Sequence, residues 1–380
     1  MKGIVLALVG GACLSSVFST TVEAQSVTLY GILDTGIEYI NHANASGDSI
    51  VRVPVNTATV PSRWGVTGKE PLGGGWKAIF TLESGFDVGT GASKQGGRLF
   101  GRQSFVGIDS PYGTLTFGRQ YSMLLQELVE FSLLGSNIYG FGSLDPWIPN
   151  ARSDNAVAYR KDIGNVSVGL TYSFGRDNSP TGGFNTPGEG TCAGGLPGNA
   201  AACREWSAML SYTGDPWGIG IAYDSQNGGA GSAVNFFNGV SPLPFTSSSN
   251  RDTRLLIDTY FKYGSFKVAA FWEHRHVEPQ TLSRTGITTD QISLEAQYQI
   301  TAALYFQALV QRIVNSQQDT RATMEAANVT YLLSKRTALY ANLGFLQNSA
   351  KGAYSVSLSG STPGKGMSQL GAMVGVRHSF

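Results

Sequence analysis

Charge is scarce in this chain, and long apolar runs are scarcer. Only 14% of its 380 residues are Asp, Glu, Lys or Arg, and the formal net charge is +1. That balance excludes a nucleic-acid binder of the usual electrostatic kind, which concentrates basic side chains on one face. Beyond the first two dozen residues no apolar run approaches the ~20 residues of a membrane-spanning helix. Any passage through a bilayer must therefore use strands. Four histidines and three cysteines also leave little material for catalysis or metal binding. His42, His274, His276 and His378 belong to no serine-hydrolase elbow and no His-Glu-x-x-His helix. His274 and His276 have the spacing of a metal pair on a strand but lack an evident third ligand, so a rim position is expected. Gly73-Gly74-Gly75 precedes Trp76 without the Lys-Ser/Thr that completes a phosphate loop. No catalytic residue, metal or cofactor is expected.

What the chain has in quantity is glycine, 49 residues, and aromatic side chains, 11%. This is the composition of a turn-rich β protein. Its first 24 residues carry Lys2, an apolar run from Ile4 to Val9 and the small-residue site Val22-Glu23-Ala24, which predicts a secretory signal peptide cleaved before Gln25. A lipoprotein is the competing reading, because Cys13 follows Gly11-Ala12, but Gly10 stands where a branched aliphatic residue is wanted. Residues 25–380 show no composition break and are expected to form one domain. Cys192 and Cys203 bracket the stretch CAGGLPGNAAAC, and in an exported protein they are expected to form a loop disulfide. Two free thiols are the alternative.

Alternation of apolar and polar residues predicts strands at about 27–40, 62–70, 75–87, 98–109, 113–119, 154–161, 165–174, 204–213, 217–225, 254–263, 265–275, 290–299, 302–314, 323–333, 336–347 and 368–380. Short connections such as 71–75, 109–113, 162–165 and 213–216 take turns with long polar ones near 41–61, 88–97, 120–153, 175–203, 226–253, 276–289, 315–322 and 348–367. Short turns at one rim and long loops at the other describe an antiparallel transmembrane β-barrel of about sixteen strands, with periplasmic turns and extracellular loops. Ile292, Leu294, Ala296 and Tyr298 alternate with Ser293, Glu295, Gln297 and Gln299. Unpaired carboxylates and amides over whole strands are too costly for a dry core, so the polar face is expected to meet water. A soluble sandwich or propeller alternates too, with its apolar side inward. Export, the loop rhythm and the aromatic strand ends (Tyr39, Trp64, Trp76, Trp217, Tyr260, Tyr263, Trp272) favour the membrane barrel. The chain stops at Phe380 on the apolar parity of Leu370, Ala372, Val374 and Val376, as a strand that must pair with the first would.

The segments SVTLYG at the start, SRWGVTGKEPLGGGWKAIFTLESGF at 62–86, FGRQSFVGIDSPYGTLTFGRQ at 101–120, NAVAYRKDIGNVSVGLTYSF at 155–174, YLLSKRTALYANLGF at 331–345 and GVRHSF at the end resemble, in order, the Gram-negative general porins of β-proteobacterial type. The resemblance covers nearly the whole mature chain. It implies a homotrimer of sixteen-stranded barrels in the outer membrane, in contact with lipid and lipopolysaccharide, passing ions and small hydrophilic solutes passively. It further implies a third loop folded into the pore, with acids opposite wall arginines, and a terminal aromatic, Phe380, read by the barrel-insertion machinery.

Arg63 shares parity with Gly65, Thr67 and Lys69, and Arg152 and Arg160 fall with Asp154, Ala156 and Ala158, so all three are expected in the lumen. An arginine on the lipid side near the midplane would cost roughly 2–4 kcal/mol. Arg102 has the less clean parity of Ser104, Val106 and Ile108, and is placed in the lumen by the resemblance. Arg98 and Arg119 stay open, because Gly118 permits a bulge that would reset parity. The third connection, from Gln120 to Ala151, is unusually apolar for an exposed loop. Its first part suits a short helix with Glu127 and Glu130 on one face. Folded inward, it would present Glu127, Glu130 and Asp145 to the arginines, although YGFGS stands where the family's loop-tip turn is expected. A surface loop with solvated acids is the alternative. The arginines outnumber the acids, which predicts weak to moderate anion preference. Rival functions are a substrate-selective channel for one anion or organic acid, or an outer-membrane enzyme or adhesin.

Overall fold

The computed structural model describes residues 26–145, 151–178, 192–278 and 286–380; the expected leader lies outside them. Among the described residues sixteen strands close into one antiparallel barrel. They are β1 Ser26–Ile40, β2 Arg63–Gly73, β3 Trp76–Gly85, β4 Gln103–Ser110, β5 Gly113–Tyr121, β6 Arg152–Ile163, β7 Val166–Ser173 and β8 Glu205–Thr213. The second half comprises β9 Trp217–Asn227, β10 Arg251–Tyr263, β11 Phe266–Glu278, β12 Ile287–Gln299, β13 Leu304–Asn315, β14 Thr320–Leu332, β15 Thr337–Asn348 and β16 Gln369–Ser379. Closure is made by β1 on β16, in register from Ile32 opposite Ser379 to Ile40 opposite Gly371. Phe380 completes it: its amide donates to the Gly31 carbonyl at 3.0 Å and its carbonyl accepts from the Gly31 amide at 3.1 Å. The Phe380 ring lies over Gly31, where any β-carbon would collide with it.

Each of the sixteen expected strands is present. The largest boundary difference is β4, which begins at Gln103 rather than near 98. The connection read as long at 315–322 is a four-residue link, Ser316 to Asp319. Polarity decides what the barrel encloses. Leu294 and Leu343 are each 55% exposed and Val374 is 61% exposed, all on the outer wall, whereas Ser293, Glu295, Asn342 and Met373 on the other parity are buried. Soluble monomers rarely expose a continuous apolar band of this kind. Its partner is lipid, and the polar faces surround the lumen.

The third loop does fold inward. Ser122 caps a helix, α1 Met123–Phe131, its hydroxyl accepting from the Leu125 amide at 3.2 Å. Met123, Leu124, Leu125 and Leu128 pack on Met209, Ala222 and Leu256 of the inner wall. From there the loop crosses the lumen to the far wall, where Leu134, Ile138 and Tyr139 meet Leu309, Ile313, Met324 and Tyr340. Wall amides hold its backbone: Gln307 donates to the Leu133 carbonyl at 2.6 Å, Gln311 to Gly140 at 3.0 Å and Gln291 to Phe141 at 3.0 Å. Glu295 accepts from the Ser132 hydroxyl and the Leu134 amide, at 2.9 and 3.0 Å. Much of the polar face that had to meet water thus meets the loop. Tyr139 lies against Gly344 and Gly371, whose missing side chains make its seat.

Candidate functional site: the pore constriction

Glu83 of β3 is the hub of the wall opposite α1. Arg102 Nε donates to its Oε1 at 2.7 Å, Arg63 Nε lies 3.6 Å from its Oε2, and the hydroxyls of Tyr30 and Tyr121 donate to it at 3.0 and 2.9 Å. Arg102 Nη2 also donates to the Tyr121 hydroxyl at 2.7 Å. The Arg152 guanidinium lies over the Tyr121 ring, 5.0 Å from its centre, and its Nε is buried without a hydrogen-bond partner. Arg160 donates to the Gln126 side chain of α1 at 2.9 Å. Such an aromatic spacer lets two guanidiniums approach without facing each other in a low-dielectric gap.

The arrangement explains why the parity of Arg102 was poor. It precedes β4, the chain bends there, and the side chain turns into the lumen although Val106 of the same parity faces lipid. A register shift between Gly118 and Gln120 likewise resets β5 against β6. Arg119 consequently faces inward, 2.6 Å from Asp154, which also meets Arg98 at 3.1 Å.

Two cavities lie on either side of this cluster and share Arg102, Arg152 and Pro61. The one toward the short turns has a volume of about 440 Å³ and is lined by Arg63, Arg102, Arg152, Arg160 and Arg377, with Glu130 as its one carboxylate. The one toward the long loops, about 750 Å³, is lined by Lys94, Lys365, Arg102, Arg119 and Arg152, with no carboxylate in its lining. The residues brought together are therefore Arg63, Arg102, Arg152, Arg160 and Glu130.

Glu127 and Asp145 lie elsewhere, which corrects the expectation that both face these arginines. Glu127 is fully buried between α1 and the wall, because it continues the stripe of Met123 and Phe131 at four-residue spacing. Asp145 is buried beside a second arginine pair, 3.2 Å from Arg254 and 3.4 Å from Arg275. Those arginines also meet Glu273 at 2.7 Å and Asp252 at 2.8 Å. Glu83, Tyr30, Tyr121 and Arg377 were missed as site residues. Arg377 was legible as a polar-parity residue of the last strand.

A sequence profile described as Gram-negative porin matches residues 7–351. The chain belongs to the Gram-negative porin family. Outer membrane porin protein 32 of Delftia acidovorans is 29% identical over 379 residues, an alignment spanning 94% of each chain. An outer membrane porin protein of Bordetella pertussis is 34% identical over 236 residues, spanning 57% of this chain and 58% of that protein's length. Among solved structures, the anion-selective porin from Comamonas acidovorans has the same fold, with a TM-score of 0.74 at 24% identity over 94% of this chain and 100% of that one. This is an outer-membrane porin, and the porin barrel is the water-filled channel that the inward polar faces require. In this porin Cys192 and Cys203 are disulfide-bonded.

Proposed function

We propose that this porin passes ions and small hydrophilic solutes passively, with weak to moderate preference for anions, through a constriction formed by Arg63, Arg102, Arg152 and Arg160 opposite Glu130. One observation carries this reading: five arginines and a single carboxylate line the cavity between the third-loop helix and the barrel wall. Water confined in a cavity of this size screens the charge less than bulk water does. The anion-selective porin of Comamonas acidovorans lends support by its fold. Liposome swelling tests it: a small sugar carboxylate should enter faster than a neutral sugar of equal size, and equal or reversed rates would refute it.

The same reading includes removal of residues 1–24 on export, assembly as a homotrimer among lipid and lipopolysaccharide, and recognition of Phe380 by the insertion machinery. Its support is the family resemblance together with the pairing of Phe380 on Gly31. Intact mass of the mature protein and cross-linking in membranes test the first two.

A further inference from the structure

The helix of the third loop is seated over a carboxyl pair that conduction does not use. Glu127 of α1 is 0% exposed and Asp258 of β10 is 2% exposed. None of their four oxygens has a hydrogen-bond donor of good geometry. Across the wall beneath Glu127, Ser211 of β8, Gly220 of β9 and Asp258 of β10 stand in register. A methyl group on Gly220 would overlap Glu127 Oε1 and lie 2.6 Å from Asp258 Oδ1, so both carboxyl oxygens occupy the gap that this glycine leaves open.

Two ionised carboxylates held this close in a buried gap repel, and one proton between them turns the repulsion into a hydrogen bond. We propose that Glu127 and Asp258 share one proton, and that this bond is the positioning contact that keeps the third-loop helix against the wall and the pore open. The inference rests on the channel reading given above. Burial, with Glu130 on the same helix adding repulsion, pushes the Glu127 carboxyl up to about 7, against the pull of the Ser211 hydroxyl and of Arg160 on β6. Of the other strands under the helix, β9 presents Gly220 to Glu127, and β7 presents Gly169 to Met123 one helical turn away.

The sign follows from linkage. The seated helix holds a proton that the released helix gives up at the ordinary carboxyl value of 4.5. Seating therefore weakens as pH rises above that value, over the window in which the pair gives up its shared proton. In that window the released fraction grows by up to roughly tenfold per pH unit.

The test is single-channel recording of the full-length protein at about pH 5 and about pH 9, with infrared spectra of the same preparations. Expected are quiet, uniform openings at the lower pH and frequent partial closures at the higher. Glu127→Gln and Asp258→Asn should stay quiet at both, because a carboxamide supplies the hydrogen bond without a titratable proton. The wild type should also show a protonated-carboxyl band at neutral pH that both variants lose. Equal closure rates at the two pH values, a pH response retained in Glu127→Gln, or closures set by added Ca²⁺ at fixed pH would each overturn the proposal. A protein that conducts at neither pH would refute the channel reading instead, and the infrared band would then decide whether the proton is shared.

Discussion

Replacing Arg152 by glutamine should weaken anion preference more cleanly than any other single change at the constriction. Arg63 and Arg102 share the single counter-charge of Glu83, whereas Arg152 forms no ion pair among the described residues: its guanidinium rests on the face of Tyr121 and its Nε is buried without a partner. A unit charge ~5 Å from a passing ion is worth about 0.8 kcal/mol in a medium as polarisable as water. It acts with opposite sign on anion and cation, so its removal changes their ratio by about 1.6 kcal/mol before screening. At ~0.1 M salt the Debye length of ~10 Å lowers this to about 1 kcal/mol, or roughly a fivefold fall in the anion-to-cation permeability ratio. The assay is the zero-current potential in a potassium chloride gradient, wild type against Arg152→Gln. Arg312→Gln is the control, since Arg312 is exposed on the outer wall with its guanidinium on Thr323. An unchanged ratio in Arg152→Gln, or an equal fall in Arg312→Gln, would refute the reasoning.

Glu83→Gln should act in the opposite direction, raising anion preference by a similar factor because Arg63 and Arg102 lose their counter-charge. It should also destabilise the barrel by about 3 kcal/mol, since it breaks a buried ion pair from one side, and urea unfolding in detergent would show it. Deleting Phe380 removes two backbone hydrogen bonds to Gly31 and the ring that covers it. The yield of heat-resistant, membrane-inserted barrel should fall while any assembled channels keep wild-type selectivity; undiminished assembly would contradict the proposed role of Phe380.

The strands were legible because lipid and water impose opposite polarities on alternate residues, and that period of two survives along most of their length. Arg63, Arg152 and Arg160 could be placed by the same rule. Arg102 and Arg119 could not, since a chain bend and a bulge break the period just where the site is built. Glu127 shows a different limit. The three-residue spacing to Glu130 suggested a shared wet face, but the four-residue spacing from Met123 and to Phe131 put Glu127 on the wall. Asp145 illustrates a third, because its partners Arg254 and Arg275 lie more than a hundred residues away, and no local pattern reports a contact across the barrel.

The most direct test of the central claim, a water-filled lumen whose narrowest part is positively charged, is the zero-current potential of the wild-type protein in a planar bilayer under a potassium chloride gradient. The account predicts stepwise conductance and a potential whose sign reports chloride as the more permeant ion. A clear potassium preference, or a purified chain that stays soluble without detergent and conducts nothing, would contradict it.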